Sequence, residues 1–523
     1  MNALRSINRK ATLQTEQAKP GQVKNNAGGF VFKVSDKTRL ERFLILGTDG
    51  GTYYSREPEL TKDNVKFVTE LIVRDEDLVR NTLVDVSVNG RAYRQSPALF
   101  TLALLLVDGK NKAATRAVFN DVARTSTHLF EVAQYIENLG GWGRAKRTAV
   151  AEWYENKDAD KLAYQLVKYR SRNGWTHRDT LRLSHPKGLN AAIAPFALRG
   201  EVTVESPEIL HGFAKMQATK SAKGVVKVLN EYPNLPWETI PTQFLNNAEV
   251  WKTLFRNGQL RGQNALRNVK RLNTVGAFDD MVFAREFVDL INDPENVQKS
   301  RLHPINYLNA IVMNANRVSY WNRERNSTLP AVITDGLSDG FHGAFKYITP
   351  SNKRTLIGLD VSGSMLGGEC GGFAGAPAEA GAAIAMTVAR TEPYYAVMGF
   401  STTFVDLGIS PGMRLDSVLR VTSNLPFSGT NIALPMEWAL KNKVEVETFI
   451  VITDNETWAG RTHPFQALKK YRQEMGIDAR LAVMGMTPTD FTVADPSDQG
   501  MMDFVGMDSN TPRVLADFSA GRI

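Results

Sequence analysis

The chain has 523 residues, 43% hydrophobic and 23% charged, with a single cysteine and a formal net charge of +8. Such a length predicts about two to four domains with ample cores, and one cysteine excludes an intramolecular disulfide framework and suits a reducing compartment. The longest apolar run, Ala98–Val107, is about half of what a bilayer requires, so no membrane span is expected.

In chain order, residues 1–28 are polar and mixed in charge, with no apolar stretch for a signal peptide. They predict a flexible tail. Helix after helix follows to about Met313. Ser96 as N-cap with Pro97 at the first helical position starts the apolar helix 98–107. Ala113 to Glu137 carries Val118, Val122, Leu129, Val132 and Ile136 at helical spacing. No fixed repeat is visible. Helices in such number are expected to stack in pairs as an α-solenoid, because about 300 residues is large for one bundle core.

Lys161–Arg172 predicts a helix capped by Asp158 or Asp160, with Leu162, Leu166 and Tyr169 as its core stripe. Lys161, Gln165, Lys168 and Arg172 form the adjacent polar stripe, and Gly174 ends the helix. Thr176-His-Arg-Asp179 resembles a capping box opening a short helix. Arg178, Arg182 and His185 fall on it at i, i+4, i+7, and Pro186 stops it. One basic stripe alone reads as a solvated face. Two in tandem, with Tyr169 and Trp175 close by, point further.

From Ser351 onward the chain carries 14 Lys+Arg against 19 Asp+Glu, leaving a balance of +13 before it. The first part is therefore expected to meet a polyanion. Arg256, Arg261, Arg267, Lys270 and Arg271 make a second basic stretch there. Single-stranded RNA suits a curved, basic, helix-lined surface, since no helix-turn-helix or zinc finger is present. His128, His211 and His303 read as packed or capping side chains. Neither zinc spacing nor a phosphate-binding G-x-x-x-x-G-K-[ST] loop occurs.

A boundary falls at Thr349-Pro350-Ser351-Asn352. Beyond it strands are expected at 354–359, 394–400, 448–453 and 479–485, alternating with helices near 378–391, 432–442 and 464–475, which predicts a doubly wound α/β sheet. Asp360 closes the first strand, with Ser362 and Ser364 at alternate positions beyond it. Thr430 lies in Ser428-Gly-Thr-Asn431, and Asp454 ends the strand Thr448–Thr453. These oxygens, at the carboxyl ends of a parallel sheet, suit a hard divalent cation such as Mg²⁺. They read as a von Willebrand factor A-type domain with a metal-ion-dependent adhesion site. An aspartyl phosphotransferase or a metal-dependent phosphohydrolase acting through Asp360 is the enzymatic competitor. The former usually needs a second carboxylate two residues on, where this chain has Ser362, so no catalytic residue is assigned. Cys370, in a Gly-rich loop, reads as an incidental thiol.

The residues Phe43–Tyr54, Gly174-Trp-Thr-His-Arg-Asp179, Leu181-Arg-Leu-Ser-His185, His211-Gly-Phe213, Asp360-Val-Ser-Gly-Ser-Met365 and Thr453–Gly460 together resemble the Ro 60 kDa autoantigen family, from about Gly29 to the C-terminus. The resemblance implies a TROVE module of HEAT-like helical repeats over 29–350, bent into a ring and closed by an A domain over 351–523. It implies small noncoding Y RNA on the outer surface, at Lys168, Arg172 and His185, with single-stranded 3′ ends of misfolded RNAs in the ring. It further implies a metal held by Asp360, Ser362, Ser364, Thr430 and Asp454, with a 3′–5′ exoribonuclease as a plausible associate. Asn431 departs from the aspartate expected after Thr430. The expected protein is a noncatalytic, cytoplasmic, monomeric RNA-binding scaffold. A protein-only scaffold offering the metal to an acidic partner is the alternative.

Overall fold

The computed structural model describes residues 11–47, 57–92, 94–300, 302–314, 329–347, 350–366, 377–413, 417–418, 421, 429–486, 489–505 and 511–522. Cys370, Ser428 and the part of the Phe43–Tyr54 motif beyond Gly47 lie outside them. Two compact units emerge. One combines residues up to Val68 with Asn89–Arg94 and everything from Phe345; the other combines Thr69–Val88 with Gln95–Ala344.

The tail expected over residues 1–28 is corrected for residues 11–28, which are folded and belong with the α/β unit. Strand β1 (Gln22–Lys24) pairs antiparallel with β2 (Phe30–Lys33). Between them Gly28 takes φ +89°, and Asn25 accepts the Gly29 N–H at 2.7 Å. A helix over Asp36–Leu46 follows, its N-terminus closed by the Ser35 side chain on the Thr38 N–H. This segment escaped sequence reading because its anchors are polar: Gln14, Gln22 and Asn25 are all buried, and each bonds at least one partner more than 400 residues away in the chain.

In the second unit, helices near in sequence pack on one another. Ser96–Val107 lies against Ser126–Asn138, Arg144–Glu155 against His177–Ser184, Ala159–Lys168 against Glu208–Gln217, and Ala222–Glu231 against Ala248–Arg256. Such sequence-local packing is the mark of helical-repeat architecture. The helix Ser96–Val107 buries Ala98, Leu99 and all of Leu102–Leu106, so it is a core helix apolar on every side. Its N-cap is Gln95, not Ser96, and no side chain caps it. The long helix read over 113–137 is three: Lys112–Ala117, Phe119–Val122 and Ser126–Asn138, the last capped by Thr125. Among the described residues, no helix is long and apolar enough to cross a membrane.

One correction touches the basic region. The helix from Ala159 stops at Lys168, not Arg172. The chain then makes a hairpin of β3 (Ser171–Arg172) and β4 (Trp175–Thr176), with Asn173 at φ +51° and Gly174 at φ +81° between them. Two positive φ angles suit the turn type for which Asn-Gly is the strongest short signal. The signal was in the sequence, and helical spacing overrode it.

The main sheet of the α/β unit has six strands among the described residues, in the order β11-β9-β8-β5-β6-β7: β5 (Thr355–Asp360), β6 (Tyr395–Phe400), β7 (Phe404–Asp406), β8 (Thr448–Thr453), β9 (Arg480–Gly485) and β11 (Met501–Val505). All neighbours are parallel except β7 on β6. The four expected strands and three expected helices stand where the alternation put them. Unforeseen were β7, β11, the helix Thr511–Ser519 and β10 (Phe491–Thr492), which pairs with β2. Val31 of β2 is thereby packed in the same hydrophobic core as Leu356, Val451, Phe491 and Val493. After β5 the chain runs to one side (β6) and later returns to the other (β8). The gap between β5 and β8 is thus a switch point, where open α/β sheets bind ligands.

Candidate metal centre and nucleic-acid surface

Asp360 and Thr453 close the adjacent strands β5 and β8. Asp360 is fully buried; its Oδ1 accepts the Ser362 N–H at 2.9 Å and its Oδ2 the Thr453 hydroxyl at 2.7 Å. The Ser362 and Ser364 hydroxyls lie 3.0 Å apart. Ser364 also bonds the Asp454 side chain. Thr430 is buried as well, and its carbonyl accepts the N–H groups of Trp458 and Ala459, each at 3.0 Å, tying its loop to the one that carries Asp454.

Burial, and then the charge of Asp454, push the Asp360 carboxyl up to about 7 against the hydrogen bonds from Ser362 and Thr453. Burial also raises Asp454. Two desolvated carboxylates with hydroxyls between them carry a cost that a divalent cation would offset. Among the described residues no group of three or more His, Cys, Asp or Glu gathers as a metal cage. A cation here would rely on two carboxylates plus the hydroxyls of Ser362, Ser364 and Thr430, an all-oxygen set that fits Mg²⁺ with retained waters. Asn431 is already committed, because its Oδ1 accepts from Gln14 Nε2 at 2.8 Å and from the Ala433 N–H at 3.1 Å.

Gln14 was missed from the sequence. It is completely buried, it bonds the Thr457 hydroxyl as well as Asn431, and its backbone N–H reaches the Gly460 carbonyl at 2.9 Å. Asn25 Nδ2 donates to the carbonyls of Asn455 and Thr457, while Glu456 accepts from Asn26 Nδ2 and the Ala27 N–H. The segment around β1 therefore straps down the whole Asp454 loop. Close approach enforces one glycine: a Cβ on Gly29 would sit 1.8 Å from the Thr457 carbonyl oxygen.

In the helical unit, the capping box of Thr176 and Asp179 is present and opens the helix His177–Ser184. Arg178 and Arg182 are exposed on it. His185 is exposed too, but it is the C-cap at φ 48° and not part of the helical stripe. Arg172 is exposed at the hairpin, where β3 packs on the helix Ser126–Asn138. Lys168 is half-buried and donates to the Tyr164 hydroxyl at 3.0 Å. Burial alone would lower its pKa; that hydrogen bond and the neighbouring Tyr164, Tyr169 and Glu238 raise it instead. Among the described ion pairs none involves Arg172, Arg178, Arg182 or His185. Trp175 faces Arg172 across the hairpin, its ring 5.7 Å from that of Trp142, and Trp175 Nε1 donates to Gln134 at 3.1 Å. In the second basic stretch Arg256 is paired with Glu286, while Arg261, Arg267, Lys270 and Arg271 are exposed and take part in no described ion pair.

A repeat-like helical unit followed by a switch-point sheet with Asp-x-Ser-x-Ser, Thr and Asp at its carboxyl edge defines a TROVE-plus-von Willebrand A protein. Family models match accordingly: a TROVE domain over residues 23–231 and 231–331, and a Ro60 vWA domain over 354–519. The chain belongs to the Ro 60 kDa family. It is 39% identical, across the full length of both chains, to a Deinococcus radiodurans protein named RNA-binding protein RO60. A Caenorhabditis elegans protein of the same name is 31% identical, over 98% of this chain and 92% of that one. The crystal structure of the Deinococcus radiodurans Ro (RSR) protein matches with a TM-score of 0.72 at 38% identity, covering 94% of this chain and all of that one.

Proposed function

We propose that this protein is the noncatalytic RNA-binding scaffold of a Ro ribonucleoprotein. Its relatives named as RNA-binding proteins support that reading. The observation that carries it is the run of exposed basic side chains without described acidic partners, Arg172, Arg178, Arg182 and His185, beside Lys168. Guanidinium groups left free of carboxylates are available to phosphates. A structured Y-type noncoding RNA would lie along this surface. Misfolded RNAs would be engaged through single-stranded 3′ ends, by phosphate contacts with little base readout, for quality control, stress response or processing with a 3′–5′ exoribonuclease.

In the A-type domain, Asp360, Ser362, Ser364, Thr430 and Asp454 would hold Mg²⁺. The ion would supply an open coordination position for a carboxylate of a protein partner. This chain's residues do the rest: the strap fixes the loops, and the hydroxyls of Ser362, Ser364 and Thr430 would help to hold the ion.

The test is sequencing of RNA crosslinked to the tagged protein in its own cells, for the wild type and for Lys168→Ala/Arg172→Ala/His185→Ala. One dominant structured RNA lost in the variant is expected. No enriched RNA in either sample would sink the reading and favour a protein-only scaffold.

A further inference from the structure

The helical unit contains a cavity of about 350 Å³ that adjoins Lys168 of the basic surface through Tyr164. Asp160 and Tyr164, one turn apart on the helix Ala159–Lys168, line it with Glu208 and Ile209 at the start of the helix Glu208–Gln217 and with Tyr232 and Asn234 beyond the helix Ala222–Glu231. Its aromatic wall is deliberate in shape. A Cβ on Gly212 would lie 2.7 and 2.8 Å from Cγ and Cδ1 of Tyr232, so the glycine of His211-Gly-Phe213 is what lets that ring seat.

Charge narrows the occupant. Lys168 Nζ lies 5.2 Å from the Tyr164 ring centroid and donates to its hydroxyl, and Lys215 Nζ lies 4.9 Å from the Tyr232 ring centroid. Both rings thus already have an ammonium beside them, which disfavours a second cation. Asp160 and Glu208 disfavour an anion. Neither carboxylate takes part in an ion pair or side-chain hydrogen bond among the described residues, and both are exposed. What suits acceptors between tyrosine rings is a neutral, planar ligand with adjacent N–H donors. Guanine offers them on its Watson–Crick edge, N1–H beside the N2 amino group, matched to the two oxygens of a carboxylate.

We propose that this cavity receives an unpaired guanine of bound single-stranded RNA, read by Asp160 or Glu208 and stacked on tyrosine. The flanking phosphates run past Lys168, while Lys215 is held by Glu231. The inference rests on the RNA-binding reading and adds base preference to it.

The experiment uses the full chain and short fluorescent oligouridines carrying one central guanine, inosine, adenine or cytosine, followed by anisotropy. The guanine oligomer should bind about tenfold more tightly than the parent oligouridine, and inosine, which lacks the amino donor, should lose most of that gain. Asp160→Asn with Glu208→Gln should erase the preference while oligouridine affinity stays or rises; Lys168→Ala should weaken every oligomer alike. Equal affinity for all four, or a preference that survives the double variant, would overturn the proposal while leaving RNA binding intact. If no oligomer binds, the RNA reading itself fails. Calorimetric titration of the neutral nucleoside guanosine then decides the cavity, and absence of heat, or displacement by arginine amide, overturns it.

Discussion

His177 sits in the middle of a motif that carries the family resemblance, yet it is a buried residue. Tyr154 Oη lies 2.8 Å from its Nδ1, the Tyr169 carbonyl 3.1 Å from its Nε2, and Phe130 packs edge-on at 4.8 Å. Burial holds its pKa down to about 4. Because the folded value lies below the unfolded one of about 6.5, the unfolded chain takes up the proton first as pH falls. The stabilisation is complete above pH 6.5 and drains away toward pH 4, by about 3 kcal/mol from this residue. Urea unfolding followed by circular dichroism between pH 7 and 4 should therefore steepen with acid, and His177→Gln should flatten the profile. Superimposable profiles would show that the buried imidazole is not the source. His303, half-buried and with its pKa lowered by desolvation to about 4, is expected to add to the wild-type slope and remain in the variant.

At the scale of elements, the strap of residues 11–34 and the hairpin 171–176 teach different lessons. The hairpin was legible in Asn173-Gly174, and the error was to rank helical spacing above turn chemistry. The strap was not legible, because nothing local marks Gln14 as the partner of Asn431 and Thr457. Its consequence is testable. Groups that orient metal-binding loops without touching the ion typically change affinity by about 10- to 100-fold when removed. Gln14→Ala should weaken Mg²⁺ binding, measured by calorimetry on the full chain, by about tenfold, with the metal-free melting temperature lowered only modestly. Unchanged affinity would detach the strap from the site. If the wild type binds no Mg²⁺, the metal reading falls first.

For the molecule as a whole, the boundary at residue 351 cuts through a folded unit. Arg42, on the helix Asp36–Leu46, has no exposed side-chain surface and grips both carboxylate oxygens of Asp503 on β11 at 2.7 Å. It also donates to the carbonyls of Thr489 and Phe491, each at 2.7 Å. Taking one partner from a buried pair strands the other charge, so Arg42→Ala should destabilise the α/β unit by about 3–5 kcal/mol. Differential scanning calorimetry should register this as one lowered transition, with the helical unit's transition in place. A shift below about 1 kcal/mol, the range of a surface pair, would mean that the pair is not buried in solution.

The sequence by itself determined whatever a short window can encode. The parallel strands β5, β6, β8 and β9 announced themselves as apolar runs, the capping box at Thr176 as a local hydrogen-bond pattern, Asp360, Ser362, Ser364 and Asp454 as polar residues at or just past strand ends, and Thr430 as one opening a helical run. The exposed cations Arg178 and Arg182 followed from helical spacing in the same way. Only the tertiary structure decided which segments complete each unit. Residues 11–46 join a sheet more than 300 residues downstream through β2 on β10, through Gln14 and through Arg42. Those links are polar, buried and remote, and a buried hydrogen bond leaves no periodicity in the chain on either side of it.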